Sequence, residues 1–146
     1  MTYVPPTWPV SIKGVALDSQ GRALLLRNER DEWELPGGRL EPGDPSPEAA
    51  LEREVAEETG WQVTVTAADL LDVWIYEPMP GRRVVIITYG CTVLTPDSEP
   101  VLSHEHKKIG LFGADQVPGL TMPDGYKHSI AVWHARLGEP TAYERT

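Results

Sequence analysis

Gly37-Gly38, followed after a polar loop by Arg53-Glu54-Val55-Ala56-Glu57-Glu58-Thr59-Gly60, is the stretch on which the reading of this chain turns. A glycine pair leads into the loop, the loop into a short helix, and the helix carries three glutamates on one face. At about 3.6 residues per turn, positions 54, 57 and 58 share one helical face. Like charges so placed destabilise a helix by roughly 0.2–0.5 kcal/mol per pair. A hard divalent cation with oxygen ligands is the natural compensation. The alternative is a solvated acidic face, which the glycines in front and the arginine beside the first glutamate argue against.

The helix has defined ends. Ser46 stands where an N-cap belongs, Pro47 at the first helical position and Glu48 in the first turn, near the positive end of the dipole. Ala49, Ala50, Leu51, Val55 and Ala56 supply its apolar side. Gly60 is placed to stop it in a left-handed conformation.

Residues 33–61, from Trp33-Glu34-Leu35-Pro36-Gly37-Gly38 through Trp61, resemble the Nudix box, whose pattern is G-x5-E-x7-R-E-U-x-E-E-x-G-U with U apolar. Gly38, Arg53, Glu54, Val55, Glu57, Glu58, Gly60 and Trp61 match it, and the lead-in is similar to that of members that sanitise oxidised nucleotides. From Gly38 to Arg53 there is one residue more than the pattern allows. The spacing from Ser46 to Arg53 is the usual one, so the extra residue falls in the loop around Asp44-Pro45. The loop glutamate of the pattern is represented at best by Asp44, one methylene shorter.

The resemblance implies a Nudix α/β/α sandwich around a mixed β-sheet, formed by residues 1–146 as one domain with 138–146 as a poorly ordered tail. It also implies a hydrolase that cleaves the diphosphate linkage of a nucleoside diphosphate joined to another moiety, with a slight lean towards nucleoside triphosphates. The implied cofactor is Mg²⁺, with Mn²⁺ as a substitute. Clustered carboxylates can hold such ions against diphosphate oxygens, and the ions lower the pKa of bound water. By residue-matched transfer, Glu57 and Glu58 are metal ligands and Glu54 a ligand or the base. Arg53 orients a glutamate through a charge-assisted bond, and a backbone carbonyl of Gly37 or Gly38 supplies a further oxygen.

A second acidic candidate is Glu105, in His104-Glu105-His106. Many Nudix enzymes carry a glutamate in the equivalent loop as metal ligand or base. The flanking histidines read as loop polarity rather than as a transition-metal pair. Arg39, directly after the glycines, is best placed to reach substrate phosphates; Arg27 and Arg30 are further candidates. Trp8, Trp33, Trp74, Tyr76 and Tyr126 could stack on a base, though each alone is a better candidate for packing. Tyr76 and Pro78 point to different subfamilies and do not decide the substrate.

Composition bounds the reading. The chain has 146 residues, a net charge of −9 and one cysteine. The segment 41–58 alone carries −6 of that charge. Such a field repels polyanions unless cations intervene, and no basic stripe appears, so polymeric nucleic acid is not an expected partner. A small nucleotide-type substrate bound through metal is compatible. No apolar run is long enough to span a bilayer and the N-terminus lacks signal-peptide features, so the cytoplasm is the expected compartment. A homodimer is compatible with the sequence. Cys91 lies in an apolar run and reads as a buried, inert thiol. That counts against the isomerase branch of the fold, which relies on a catalytic cysteine. A non-catalytic binding module, the remaining alternative, would be expected to lose box glutamates that are present here.

Along the chain, strands are expected at Val10–Leu17, Ala23–Arg27, Gln62–Thr66, Leu70–Tyr76, Arg83–Leu94 and Lys108–Phe112. Helices are expected at 47–59 and Tyr126–Leu137, and turns at 18–21 and 78–81.

Overall fold

The computed structural model of the chain describes residues 1–104, 106 and 108–138. In chain order, β1 (Val10–Val15) and β2 (Ala23–Arg27) precede two short strands, β3 (Trp33–Glu34) and β4 (Gly37–Arg39). Helix α1 (Pro47–Thr59) follows, then β5 (Val63–Thr64) and the hairpin of β6 (Leu70–Met79) and β7 (Arg82–Gly90). β8 (Thr92–Val93), β9 (Lys108–Phe112) and helix α2 (Asp124–Gly138) complete the order.

β1 is the axis of a mixed four-stranded sheet ordered β4-β1-β7-β6. It runs parallel to β7 and antiparallel to β4, while β6 pairs antiparallel with β7. Successive side chains of a strand face opposite ways, and two cores result. Ile12, Leu24 and Tyr89 pack with Leu51 and Val55 of α1 and with Trp61 on one face. Val15, Leu25, Val84 and Ile86 pack with Tyr126, Ile130 and Trp133 of α2 on the other. A smaller antiparallel sheet, β3-β2-β9, lies alongside. The expected α/β sandwich is what the chain forms. Among the described residues, no helix is long and apolar enough to cross a membrane.

The ends of α1 are as the sequence chemistry dictates. Ser46 Oγ accepts from the Ala49 amide at 3.0 Å, and Gly60 ends the helix at φ 76° with its amide on the Ala56 carbonyl. Other boundaries differ from expectation. β1 stops at Val15, and Leu17 makes only an isolated bridge to Ala23. The expected turn at 78–81 shrinks to Pro80-Gly81, because β6 continues through Met79, which pairs with Arg82. The expected strand Arg83–Leu94 breaks at Cys91, after which Thr92 and Val93 leave to pair with β5. Gly138, expected to open a tail over 138–146, closes helix α2 instead, and 139–146 lie outside the described residues.

Candidate active site

β4 sets the site because it brings the glycine pair beneath α1. In register, Gly38 faces Ile12 and Gly37 faces Lys13. Gly37 has φ 138°, and a Cβ there would collide with the Ile12 carbonyl, so β4 can lie this close to β1 only without a side chain. Gly38 leaves room for a different neighbour: a Cβ on it would stand 2.8 Å from the Glu54 carboxylate.

A cleft of about 500 Å³ opens over this contact, lined among others by Gly37, Gly38, Arg39, Arg53, Glu54, Glu57 and Glu58. Glu54, Glu57 and Glu58 of α1 therefore do share one cavity, but in three environments. Glu57 is exposed, Glu54 is mostly covered and Glu58 is buried. Arg53 Nη1 donates to Glu54 Oε1 at 3.2 Å and to Glu57 at 3.3 Å, while Nη2 donates to Asp44 Oδ1 at 3.1 Å. Asp44 also accepts from the Glu41 amide at 2.9 Å. That bond, with Arg53, holds its carboxyl below the usual range, and the Asp44 bond raises the Arg53 guanidinium above its own. Despite the extra loop residue, Asp44 is thus anchored on the arginine of the box.

Glu58 Oε2 accepts from the Gly37 amide at 3.1 Å. Burial pushes its carboxyl up to about 7, against the opposing pull of Lys13 and of that amide. Glu48 and Glu52, on the same helix, are used elsewhere. Tyr89 Oη donates to Glu48 at 2.7 Å, and the Val65 amide donates to Glu52 at 2.8 Å.

Asn28, Glu34 and His106 also line the cleft, as part of a polar network that the sequence did not announce. Lys13, buried in β1, donates to the Gly37 carbonyl at 3.4 Å and sits 3.8 Å from Glu34 Oε1. Glu34 also takes Asn28 Nδ2 at 3.0 Å and pairs with His106 Nε2 at 2.9 Å. Burial disfavours the Glu34 anion, but Lys13 with the His106 and Asn28 bonds overrides it and holds the carboxyl down at about 2. The Glu34 bond, in turn, raises the His106 pKa. A lone lysine within an apolar strand and the acid of the Trp33-Glu34 lead-in were the available signals. His106, read from sequence as loop polarity, is a partner of that acid.

Among the described residues, no three His, Cys, Asp or Glu side chains form a group that could hold a metal ion. Mg²⁺ does not require one: it keeps several waters and takes one or two carboxylates plus substrate phosphates. An open cleft of hard carboxylate oxygens beside bare Gly38 fits that demand. The Gly37 carbonyl fits it less well, because Lys13 already engages it.

Two of the expected site residues need separate mention. Glu105 lies outside the described residues. Arg27 is not brought to the cleft. It lies directly opposite Trp33 in the β2–β3 register, its guanidinium 5.9 Å from that ring and 3.9 Å from Asp31. Cross-strand pairing, not the cleft, fixes its place. Of the aromatic candidates, Trp74 packs edge-on to Tyr126 at 5.3 Å and Trp33 edge-on to Phe112 at 4.7 Å. Burial pushes the Cys91 thiol up to about 12, so it carries no thiolate at neutral pH.

A NUDIX domain model matches residues 7–133, and the chain belongs to that family. It is 48% identical over 88 residues to a MutT-like protein of Streptomyces ambofaciens, a match covering 60% of this chain and 53% of that one. The chain spans about half, or less, of the length of the curated relatives it matches. The MutT protein from Methanosarcina mazei Go1 superposes with a TM-score of 0.73 at 21% identity, over 94% of this chain and 100% of that one. A C. elegans Ap4A hydrolase, solved as a binary complex, gives 0.75 at 20% identity over 88% and 97%. At these identities the structural likeness shows the fold.

Proposed function

We propose that the chain is a hydrolase of phosphoanhydride bonds that acts with Mg²⁺, or Mn²⁺ in its place, on a nucleoside diphosphate linked to another moiety. The observation that carries this reading is the convergence of Glu54, Glu57 and Glu58 with Gly38 and Arg53 on one cleft. The MutT-like relative and the neighbouring Ap4A hydrolase support a nucleotide-type substrate.

Glu57 and Glu58 would hold the cation. Bound there, it would offset charge developing at phosphorus and lower the pKa of water. The chain's own groups do the rest. Arg53 fixes the Glu54 and Glu57 carboxylates in orientation. Glu54, mostly shielded and packed on Gly38, is either a further ligand or the base that takes the proton from the attacking water at a carboxylate oxygen. Arg39 borders the cleft and would be the group that meets the substrate phosphates. Glu105 is assigned the part of a further ligand or alternative base on its sequence position alone.

The test is product release from a panel of ADP-ribose, nucleotide sugars, dinucleoside polyphosphates, and oxidised and ordinary nucleoside triphosphates. Turnover of at least one, lost in EDTA and restored by excess Mg²⁺, is expected. Turnover indifferent to EDTA, or none across the panel, would overturn the reading.

A further inference from the structure

We propose that a cationic pocket adjoining the carboxylate cleft binds phosphates lying beyond the bond that is cleaved, so that the preferred substrates carry an extended polyphosphate. This rests on the hydrolase reading for its link to turnover, but not for the binding itself.

The pocket, of about 730 Å³, lies between the N-terminal segment around Trp8 and the turn end of the β6–β7 hairpin. Arg30, Arg39, Arg82 and Arg83 line it, and no carboxylate does. The chain has only 13 lysines and arginines against 22 acids, so four arginines at one acid-free pocket are not what a scatter of solubilising charges produces. Among the described residues, Arg30 alone of the four has an acid within ion-pair distance, Glu32 at 3.1 Å. The guanidinium fork of donors matches phosphate oxygens, and Arg39, Arg82 and Arg83 have no acid within ion-pair distance among the described residues to compete for them.

Two further observations tie the pocket to the substrate. Arg30 and Arg39 also line the carboxylate cleft, so the cavities share a wall. A substrate with its scissile diphosphate among the glutamates would have the rest of its phosphate chain meet these arginines. The opposite wall is also held in place: the Val85 amide donates to the Pro9 carbonyl at 3.0 Å, and the Arg83 guanidinium lies 5.2 Å from the Trp8 ring. A nucleotide sugar or ADP-ribose, whose charge ends at the scissile diphosphate, would leave the pocket unused.

Two measurements separate this proposal from the hydrolase reading. In EDTA, calorimetric binding of inorganic tripolyphosphate to the whole chain reports the pocket alone. Charge-assisted contacts of this kind lead us to expect Arg82→Ala/Arg83→Ala to weaken that binding by at least about tenfold. Arg82→Ala, which keeps the Arg83–Trp8 contact, should give an intermediate loss at an unchanged melting temperature. With Mg²⁺, the double variant should raise KM for adenosine tetraphosphate and diadenosine tetraphosphate, while kcat/KM for ADP-ribose stays within about threefold, as for a surface change remote from that substrate. Unchanged tripolyphosphate affinity in the double variant overturns the proposal. So does a loss confined to the dinucleotide, which would assign the pocket to the second nucleoside rather than to phosphate. If nothing is hydrolysed yet tripolyphosphate binding depends on Arg82 and Arg83, the pocket stands and the hydrolase reading falls.

Discussion

The Glu54 carboxylate occupies the space that a side chain on Gly38 would need, 2.8 Å from where its Cβ would be. Glycine pair and acidic helix, separate features in the sequence, are two halves of one contact. Gly38→Ala would meet the mobile end of a side chain rather than backbone, so Glu54 would move and the fold would remain. We expect a melting temperature within a few degrees of wild type and a loss of at least about tenfold in kcat, since small misplacements of reacting groups are costly. Gly37→Ala, which meets the Ile12 carbonyl and needs φ 138°, should instead lower the melting temperature sharply. Thermal melts and initial rates on the two variants check the contrast.

Asp44 holds Arg53 from outside the cleft while Glu54 and Glu57 hold it from within. Asp44→Asn keeps the shape and removes the charge. Arg53 is open to solvent, which screens the pair, so the melt should move little. The rate should fall by roughly three- to tenfold as the bond that fixes Arg53 loses its charge assistance. An unchanged rate would show that the loop acid has no part in positioning the arginine.

The Lys13–Glu34–His106 network gives a pH signature. The Glu34 carboxyl is held down at about 2 in the folded chain. A depressed carboxyl contributes stability that is present above its unfolded pKa and is lost as pH falls through the folded value. The stability gap between wild type and Glu34→Gln should therefore be full at about pH 6 and shrink between about pH 4.5 and 2. Denaturation midpoints across that range test it; a gap independent of pH would contradict the assignment.

Helix α1 was legible to the residue because its signals are local: a serine cap, a proline at the first position, a left-handed glycine at the end. β2 and β9 were legible for the same reason, as short apolar runs between polar loops. β3 and β4 were not, since so few residues carry no periodicity and become strands only by pairing with β2 and β1. The site divides along the same line. The glutamates follow from helical spacing, whereas Lys13, Asn28, Glu34 and His106 meet only through the fold. Arg27 lies away from the cleft because its register opposite Trp33, which only the fold reveals, sets it beside that ring.

Glu105 is tested through its kinetics. If it is the base, Glu105→Gln lowers kcat at every pH with little change in Mg²⁺ requirement. If it is a ligand, the Mg²⁺ requirement rises and high Mg²⁺ rescues part of the rate. We expect one of these patterns, with Glu54 as the alternative base. Wild-type kinetics across a Mg²⁺ titration, within about threefold as for a neutral surface change, would remove Glu105 from the site.

The most direct test of the account is the pair Glu57→Gln and Glu58→Gln, assayed with Mg²⁺ on whichever substrate the wild type turns over and melted in parallel. An amide keeps each side chain's shape and removes the charge a hard cation needs. If these carboxylates hold the cation, both variants fold and their rate falls by at least about 10²-fold, the order seen when an electrostatic stabiliser is deleted. Folded variants that keep wild-type, Mg²⁺-dependent turnover would contradict it.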